Sequence, residues 1–245
     1  MEKRWMLITG GSRGIGQALV SHLLPDWNIV FTGRSEAGIG RTLAQARKLH
    51  TSTWVRGYRC DGRDEGNVQR LAMSLLDEFG APAAIIHNAG MTRDALHIHQ
   101  TARDWQDVLT NNLVAIVNWN RILLPAMMMQ GRGAIVLMSS VTAIKGNSGQ
   151  TAYAASKAAM IGLTRSLAQE MGRFGIRVNC LAPGLIEGEM VEAIPEARLK
   201  AMRQNIPLRR LGQTQDVAHA VAFLVGEGSR YLTGQTLVLD GGLSV

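Results

Sequence analysis

With 245 residues, a net charge of +7 and a pI near 10.0, the chain is distinctly basic and could form one large domain or two small ones. No apolar run reaches the ~18 residues that cross a membrane, and no basic run is interleaved with aromatic residues, which argues against a membrane protein and against nucleic-acid binding. The positive charge suits an anionic ligand or an acidic protein partner, although a basic solvated surface would give the same balance.

A strand-like run begins almost at Met1 with no signal-peptide pattern ahead of it, so we expect a soluble, cytoplasmic protein. Seven such runs alternate with helix-like stretches, at 5–9, 28–32, 53–59, 83–87, 134–139, 177–182 and 236–239. This alternation is typical of β-α-β units around a parallel sheet, and the central runs are apolar on both faces, as a sheet covered by helices requires. Because repeats, low-complexity tracts and linkers are absent from the sequence, we predict a single α/β domain over residues 1–245.

The first strand leads into a glycine-rich turn, Thr-Gly-Gly-Ser-Arg-Gly-Ile-Gly at 9–16, which opens an amphipathic stretch at 15–24. Glycines in this context let the backbone approach a pyrophosphate that sits at the helix N-terminus. The alternative is an ordinary tight turn between strand and helix. We predict a dinucleotide site contacted by Gly10, Ser12, Arg13, Gly14, Ile15 and Gly16.

The residue after the second strand indicates which dinucleotide is bound. Enzymes that use NAD place an acidic residue there to bind the adenine ribose, whereas this chain has Arg34. A guanidinium binds a 2′-phosphate that a carboxylate would repel, and Arg13 in the glycine turn is a candidate second cation. The sequence therefore predicts NADP(H) as cofactor; the alternative is that both are ordinary surface arginines.

Further polar and glycine residues stand at the ends of other strands. Asp61 ends the third, Asn88-Ala89-Gly90 follow the fourth, and Pro183-Gly184-Leu185-Ile186 follow the sixth. Any of them could be turn chemistry alone. Because open α/β sheets bind ligands at the carboxyl ends of their strands, we predict that all three groups line the cofactor groove.

The two cysteines, Cys60 and Cys180, also lie near strand ends. They match no metal-ligand spacing, so we predict buried free thiols rather than a disulfide, and no metal site.

Ser140, Tyr153 and Lys157 form a Ser-x12-Tyr-x3-Lys array. On a helix Tyr153 and Lys157 share one face, and we expect the ammonium to lower the pKa of the phenol so that it becomes a usable general acid. Ser140 follows the fifth strand, so its hydroxyl should emerge at the same edge of the sheet. A Tyr-x3-Lys pair can arise by chance and a serine at a strand end is often a turn residue, but together with the glycine turn they predict a nicotinamide-dependent carbonyl reductase.

These features resemble the classical short-chain dehydrogenase/reductase family along essentially the whole chain. Segments 146–157, 183–187, 211–212 and 232–236 are most similar to the 3-oxoacyl-acyl-carrier-protein reductases. The resemblance implies a doubly wound Rossmann-type domain with a seven-stranded parallel sheet, helices on both faces and a homotetrameric assembly.

The resemblance also implies a fourth catalytic residue, Asn112, which anchors a proton-relaying water; its spacing places it on the apolar side of a helix, and neighbouring Asn111 is the alternative alignment. Ser140 then hydrogen-bonds the substrate oxygen and Tyr153 protonates it. Lys157 tunes Tyr153 and binds the nicotinamide ribose.

At the cofactor, the resemblance implies that Asp61 bonds the adenine, Asn88 lines the groove and the Ile186 amide meets the nicotinamide carboxamide. Two positions depart from the family pattern. His87 stands where the family usually has asparagine, and we assign it a structural role. Gly188 replaces a threonine that commonly touches the carboxamide.

The family's two basic positions for docking an acidic acyl-carrier protein are Gly131 and Phe174 here, with Arg132 and Arg173 one residue away as candidate docking residues. The segment at 187–207 reads as an amphipathic helical cap, which the resemblance makes a mobile lid over the substrate; a fixed surface helix is the alternative.

The leading hypothesis is NADPH-dependent reduction of a carrier-bound 3-oxoacyl thioester in fatty-acid, polyketide or polyene synthesis. The alternatives are an acyl-CoA substrate, or another small ketone or alcohol such as a steroid or sugar. A non-catalytic nucleotide-sensing subunit is a further alternative, which the intact array of Asn112, Ser140, Tyr153 and Lys157 argues against.

Overall fold

The computed structural model of the chain describes residues 4–188, 191 and 196–245. Its strands are β1 (Trp5–Thr9), β2 (Asn28–Gly33), β3 (Val55–Arg59), β4 (Ala84–His87), β5 (Gly133–Met138), β6 (Ile176–Pro183) and β7 (Thr236–Leu239). They form one parallel seven-stranded sheet in the order β3-β2-β1-β4-β5-β6-β7. The predicted α/β fold is thereby confirmed. The order reverses between β1 and β4, which opens a crevice at the carboxyl ends of these two strands.

The helices are α1 (Gly14–Leu23), α2 (Glu36–Arg47), α3 (Glu65–Phe79), α4 (Ala102–Leu109), α5 (Ala115–Gln130), α6 (Thr142–Lys145), α7 (Thr151–Met171), α8 (Glu196–Gln204) and α9 (Thr214–Val225). A single π-helical turn, Thr110–Val114, joins α4 to α5. Short 3-10 turns lie at His97–His99, Gly172–Phe174 and Glu227–Ser229. None of the helices in the described part of the chain is long and apolar enough to span a membrane.

Two apolar cores cover the two faces of the sheet, and β1 supplies both. Met6 and Ile8 pack with residues of α1, α2 and α9, whereas Trp5 and Leu7 pack with residues of α3, α5 and α7. All four side chains are almost completely buried. This is why the strand reads as a continuous apolar run: its alternate residues face opposite helical layers.

Two further predictions concern the cysteines and the segment at 187–207. Cys60 and Cys180 are free and buried, as predicted. In the segment predicted as a cap, α8 forms over 196–204, and a small separate core contains Val191, Leu199, Ile206 and Leu211. Residues 189–190 and 192–195 of the predicted cap lie outside the described residues.

Candidate active site and cofactor groove

The glycine turn places an unshielded helix N-terminus at the carboxyl end of β1. Gly10 and Gly14 have positive φ angles of 70° and 51°, which side chains disfavour. Arg13 stands at the N-cap of α1, but its side chain makes no capping hydrogen bond, and the first turn contains no acidic residue. The free N–H groups and the positive end of the helix dipole therefore remain available to an anion.

The space around the turn fits a bound phosphate. A Cβ at Gly16 would lie 2.1 Å from the Gly10 carbonyl oxygen, so the backbone is packed too closely here for any side chain. A Cβ at Gly14 would meet nothing within 4 Å, so that side of the turn is open. The turn is therefore closely packed at Gly16 and open at Gly14, so that a ligand on the open side would meet backbone atoms.

Two polar residues hold this turn in place. Asn88 Nδ2 donates to the carbonyl oxygens of Thr9 and Gly10 at 3.2 and 3.1 Å, and the Thr9 hydroxyl accepts from the amides of Asn88 and Ala89, both at 3.1 Å. Thr42 of α2, which is fully buried, donates from its hydroxyl to the Gly11 carbonyl oxygen at 3.2 Å. Asn88 thus positions the turn from the wall of the groove. No pattern in the sequence indicated that Thr42 supports the turn as well.

A cavity of about 290 Å³ lies beyond the turn, at the carboxyl ends of β2 and β3, and is lined by Arg34, Arg59, Cys60, Asp61 and Asn67. The Asp61 carboxylate is bound by Arg63, whose Nη2 and Nε donate to Oδ2 and Oδ1 at 2.6 and 3.0 Å. This hydrogen bonding holds the pKa of Asp61 below its ordinary value. The predicted cofactor residues Arg34 and Asp61 therefore share one cavity.

Tyr153 and Lys157 lie on one face of α7 close to the end of β5, as predicted. Lys157 is buried; its Nζ donates to the Met138 carbonyl oxygen at 2.6 Å and lies 5.6 Å from the centroid of the Tyr153 ring. Ser139 Oγ donates to the Lys157 carbonyl oxygen at 2.8 Å, which ties α7 to the strand end. The Ser140 hydroxyl interacts with the Tyr153 phenol and accepts from the Thr142 amide at 3.1 Å.

The predicted direction of the tyrosine pKa shift is wrong for this structure. Burial raises the pKa of Tyr153; the hydrogen bond with Ser140 opposes that shift, and the Asp94 carboxylate adds to it. Burial also lowers the pKa of the Lys157 ammonium to about 8. Loss of water contact is the largest cause of both shifts, and a raised pKa leaves the Tyr153 phenol protonated at neutral pH, as a proton donor must be.

Asn112 lies in the π turn between α4 and α5 and is completely buried. Its Nδ2 donates to Ser156 Oγ at 2.9 Å and to the Met91 carbonyl oxygen at 3.0 Å, and its Oδ1 accepts from the Met91 amide at 2.9 Å. Asn111 only supports this residue, donating to Asn112 Oδ1 at 3.1 Å. The geometry thus places Asn112, not Asn111, against α7. The extra backbone residue of a π turn re-aims a side chain in this way, and such turns are frequent at functional sites.

Ser156 links Asn112 to α7, and the sequence analysis did not identify it. Its hydroxyl accepts from Asn112 and donates to the Tyr153 carbonyl oxygen at 2.7 Å. The available signal was its position between Tyr153 and Lys157. Gly90 packs closely against two of these side chains: a Cβ there would lie 3.2 Å from Lys157 Nζ and 3.7 Å from Asn112 Oδ1.

The segment after β6 approaches the same edge of the sheet. Gly184 packs tightly, since a Cβ there would lie 2.7 Å from Asp240 Cα. Ile186 forms a parallel bridge with Gly212, made by the flanking Leu185 carbonyl and Glu187 amide at 2.9 and 2.8 Å. The Ile186 amide is therefore directed away from Gly212 and remains available on the other side.

Three other predicted positions lie apart from these groups. His87 is buried in β4 and bonded to Asn120 at 2.9 Å, which supports its structural assignment. Arg132 and Arg173 are exposed just before β5 and β6, at the amino ends of these strands. They lie roughly 20 Å from the carboxyl edge, given ~3.3 Å per strand residue.

The chain matches known proteins over nearly its full length. A family model described as enoyl-(acyl carrier protein) reductase matches residues 10–244. The 3-oxoacyl-[acyl-carrier-protein] reductase FabG of Thermotoga maritima is 36% identical, with 100% of this chain and 99% of the relative covered. FabG of Escherichia coli K12 is 35% identical, with 99% and 98% covered. The crystal structure of levodione reductase has a TM-score of 0.94 at 30% identity, with 99% and 98% of the two chains covered.

The open helix N-terminus at the glycine turn and the arginine-lined cavity beyond it fit the pyrophosphate and the adenosine end of a dinucleotide. Together with the full-length matches, they show that the chain belongs to the short-chain dehydrogenase/reductase family, whose members are oxidoreductases that act on a carbonyl or hydroxyl group with a nicotinamide cofactor.

Proposed function

We propose that the protein reduces a 3-oxoacyl thioester to the 3-hydroxyacyl thioester, with NADPH as reductant and acyl-carrier protein as the carrier of the substrate. The observation that carries this proposal is the convergence of Asn112, Ser140, Tyr153 and Lys157 at one edge of the sheet. Relatives named as 3-oxoacyl-acyl-carrier-protein reductases at 35–36% identity over the whole chain support the substrate class. The product would serve fatty-acid, polyketide or polyene synthesis.

Each of these four residues has a separate role in the proposed reaction. When bound, the reduced nicotinamide supplies a hydride to the carbonyl carbon. Ser140 donates a hydrogen bond to the carbonyl oxygen, and the neutral Tyr153 phenol transfers its proton to that oxygen as negative charge develops. The Lys157 ammonium, held at Met138, offsets the charge left on the phenolate, and Asn112 fixes the start of α7 through Ser156.

The cofactor is held along the carboxyl edge of the sheet. The α1 N-terminus and Ser12 to Gly16 receive the pyrophosphate, while Ala89, Gly90, Pro183 and Ile186 border the nicotinamide side. Arg34 binds the 2′-phosphate that distinguishes NADPH from NADH. Arg34→Asp should lower the preference for NADPH over NADH, as the ratio of kcat/KM values, on the order of 10-fold or more. An unchanged ratio would refute the choice of cofactor.

The candidate docking residues for a carrier protein lie far from the candidate active site of the same subunit. Arg132 and Arg173 are exposed and could pair with an acidic carrier, but they lie at the opposite edge of the sheet from Tyr153. We therefore propose that the carrier docks on one subunit of a homotetramer and delivers its thioester to the site of another. Arg132→Ala and Arg173→Ala should raise KM for carrier-bound substrate and leave KM for the coenzyme A thioester unchanged, with Arg47→Ala on α2 as the control.

A second candidate is the reduction of a small ketone, which the close structural likeness to levodione reductase favours. Turnover of acetoacetyl thioesters of acyl-carrier protein and of coenzyme A, compared with free ketones, separates the candidates. We expect the carrier-bound thioester to give the highest kcat/KM. If neither thioester is turned over but free ketones are, the second proposal replaces the first.

A further inference from the structure

We infer that Arg59 is a second determinant of cofactor choice, which binds the phosphate on the adenosine ribose together with Arg34. This inference rests on the proposed use of NADP(H). Both arginines line the cavity of about 290 Å³ at the carboxyl ends of β2 and β3. Arg59 is the last residue of β3 and is exposed.

Strand register places Arg59 beside the glycine turn. Arg59 is the partner of Gly33 in the parallel pair of β2 and β3, and the Cys60 amide donates to the Gly33 carbonyl oxygen at 3.0 Å. A Cβ at Gly33 would lie 2.6 Å from Ser12 Oγ, so this face of the sheet is the one covered by the turn. Because paired residues in a parallel sheet project to the same face, the Arg59 side chain leaves β3 on the side of Ser12, and Arg34 follows Gly33 directly.

The charges around the cavity leave the two arginines available to a ligand. Arg34 is close enough to Asp61 to contribute to the lowering of its pKa, but the hydrogen bonds of that carboxylate go to Arg63. Within residues 4–188 and 196–245, neither Arg34 nor Arg59 makes an ion pair with an acidic side chain. The cavity thus has two cations and one carboxylate, and because Arg63 binds that carboxylate, the positive charge of Arg34 and Arg59 is left to attract an anionic ligand.

A phosphomonoester is the group that this arrangement fits. Two guanidinium groups can each donate paired hydrogen bonds to its oxygens, and the third polar residue of the lining besides Asp61, Asn67, is uncharged. The ribose of an unphosphorylated dinucleotide would leave both guanidinium groups without an anionic partner. Arg59 should therefore contribute to affinity only when the phosphate is present.

Calorimetric titration with two nucleotides that differ only in this phosphate tests the inference without the reaction. Adenosine 2′,5′-bisphosphate and adenosine 5′-monophosphate are titrated into the wild type, Arg59→Met, Arg59→Lys and Arg34→Met. The control is Arg56→Met: Arg56 lies on the opposite face of the same strand, where it contacts Trp54, Phe79 and Glu78. We expect Arg59→Met to weaken bisphosphate binding by ~10-fold, Arg59→Lys by less, and monophosphate binding to be unchanged.

The outcomes separate the two proposals. Equal affinity of the wild type for the two nucleotides would overturn both the choice of NADP(H) and the role of Arg59. Wild-type discrimination that is lost in Arg34→Met but kept in Arg59→Met would overturn the role of Arg59 alone. A loss in Arg56→Met as large as in Arg59→Met would also overturn it, because the effect would then come from general surface charge.

Discussion

At the residue scale, burial is the main influence on the pKa values of Tyr153 and Lys157. Lys157 and Tyr153 were expected to act on each other as a cation beside a phenol, but Lys157 is buried and Tyr153 is half-buried, and the loss of hydration is the largest cause of both pKa shifts. The Tyr-x3-Lys spacing in the sequence predicts the pairing, whereas the degree of burial depends on how α7 packs against β5, β6 and the π turn. The sequence could therefore predict the residues but not the direction of the shift.

His87 carries a testable pH dependence. Burial lowers its pKa to about 4, and with the ring neutral Nε2 can donate to Asn120 Oδ1 at 2.9 Å. Between the folded pKa of about 4 and the ordinary value of ~6.5 the unfolded chain binds the extra proton, so stability is complete above ~6.5 and falls as the pH falls towards 4. The loss attributable to His87 amounts to roughly 3 kcal/mol at most.

Urea unfolding of the wild type and of His87→Asn at pH values across this window measures that contribution. Asparagine has no proton to gain, so the variant should lose less stability on acidification than the wild type. Parallel pH profiles for the two proteins would contradict the assignment.

At the element scale, the turn between β1 and α1 is the most constrained backbone of the site. Gly16→Ala would force a Cβ against the Gly10 carbonyl oxygen, which only a shift of the turn can relieve. We expect NADPH affinity to fall on the order of 10²-fold, because a displaced backbone cannot donate well to the pyrophosphate. Fluorescence titration with NADPH provides the measurement.

Gly40→Ala is the matched control for this substitution. Gly40 lies within α2, where an added Cβ meets nothing within 4 Å. Alanine there should stabilise the helix by ~0.5–1 kcal/mol and leave NADPH affinity unchanged. Equal effects of the two substitutions on affinity would show that the close contact at Gly16 is not what holds the turn.

The elements also show where sequence reasoning ends. The five inner strands (β1, β2, β4, β5 and β6) could be predicted to within one residue because a sheet covered on both faces demands largely continuous apolar runs. The π turn at Thr110–Val114 could not, since its residues continue an ordinary helical pattern. Arg59 was missed for a related reason: its significance comes from the register with Gly33, which is a tertiary property.

At the scale of the whole molecule, the final strand exposes apolar surface. Leu237 and Val238 of the edge strand β7 and Phe223 of α9 are all partly exposed. Exposed apolar edge strands are normally protected, and a second copy of the chain would cover this one. We expect sedimentation velocity to show a tetramer, and Val238→Lys to shift the distribution towards smaller species. A wild-type monomer at micromolar concentration would contradict this expectation and also the proposed delivery of substrate between subunits.

The central claim is that Tyr153 donates the proton in an NADPH-dependent reduction of a carrier-bound 3-oxoacyl thioester. The most direct test is the rate of NADPH consumption with acetoacetyl-acyl-carrier protein for the wild type, Tyr153→Phe and Tyr231→Phe. Tyr231 is fully exposed and provides the matched control. We expect kcat to fall on the order of 10²-fold or more in Tyr153→Phe and to stay unchanged in Tyr231→Phe. Wild-type turnover by Tyr153→Phe, with NADPH binding intact, would contradict the account.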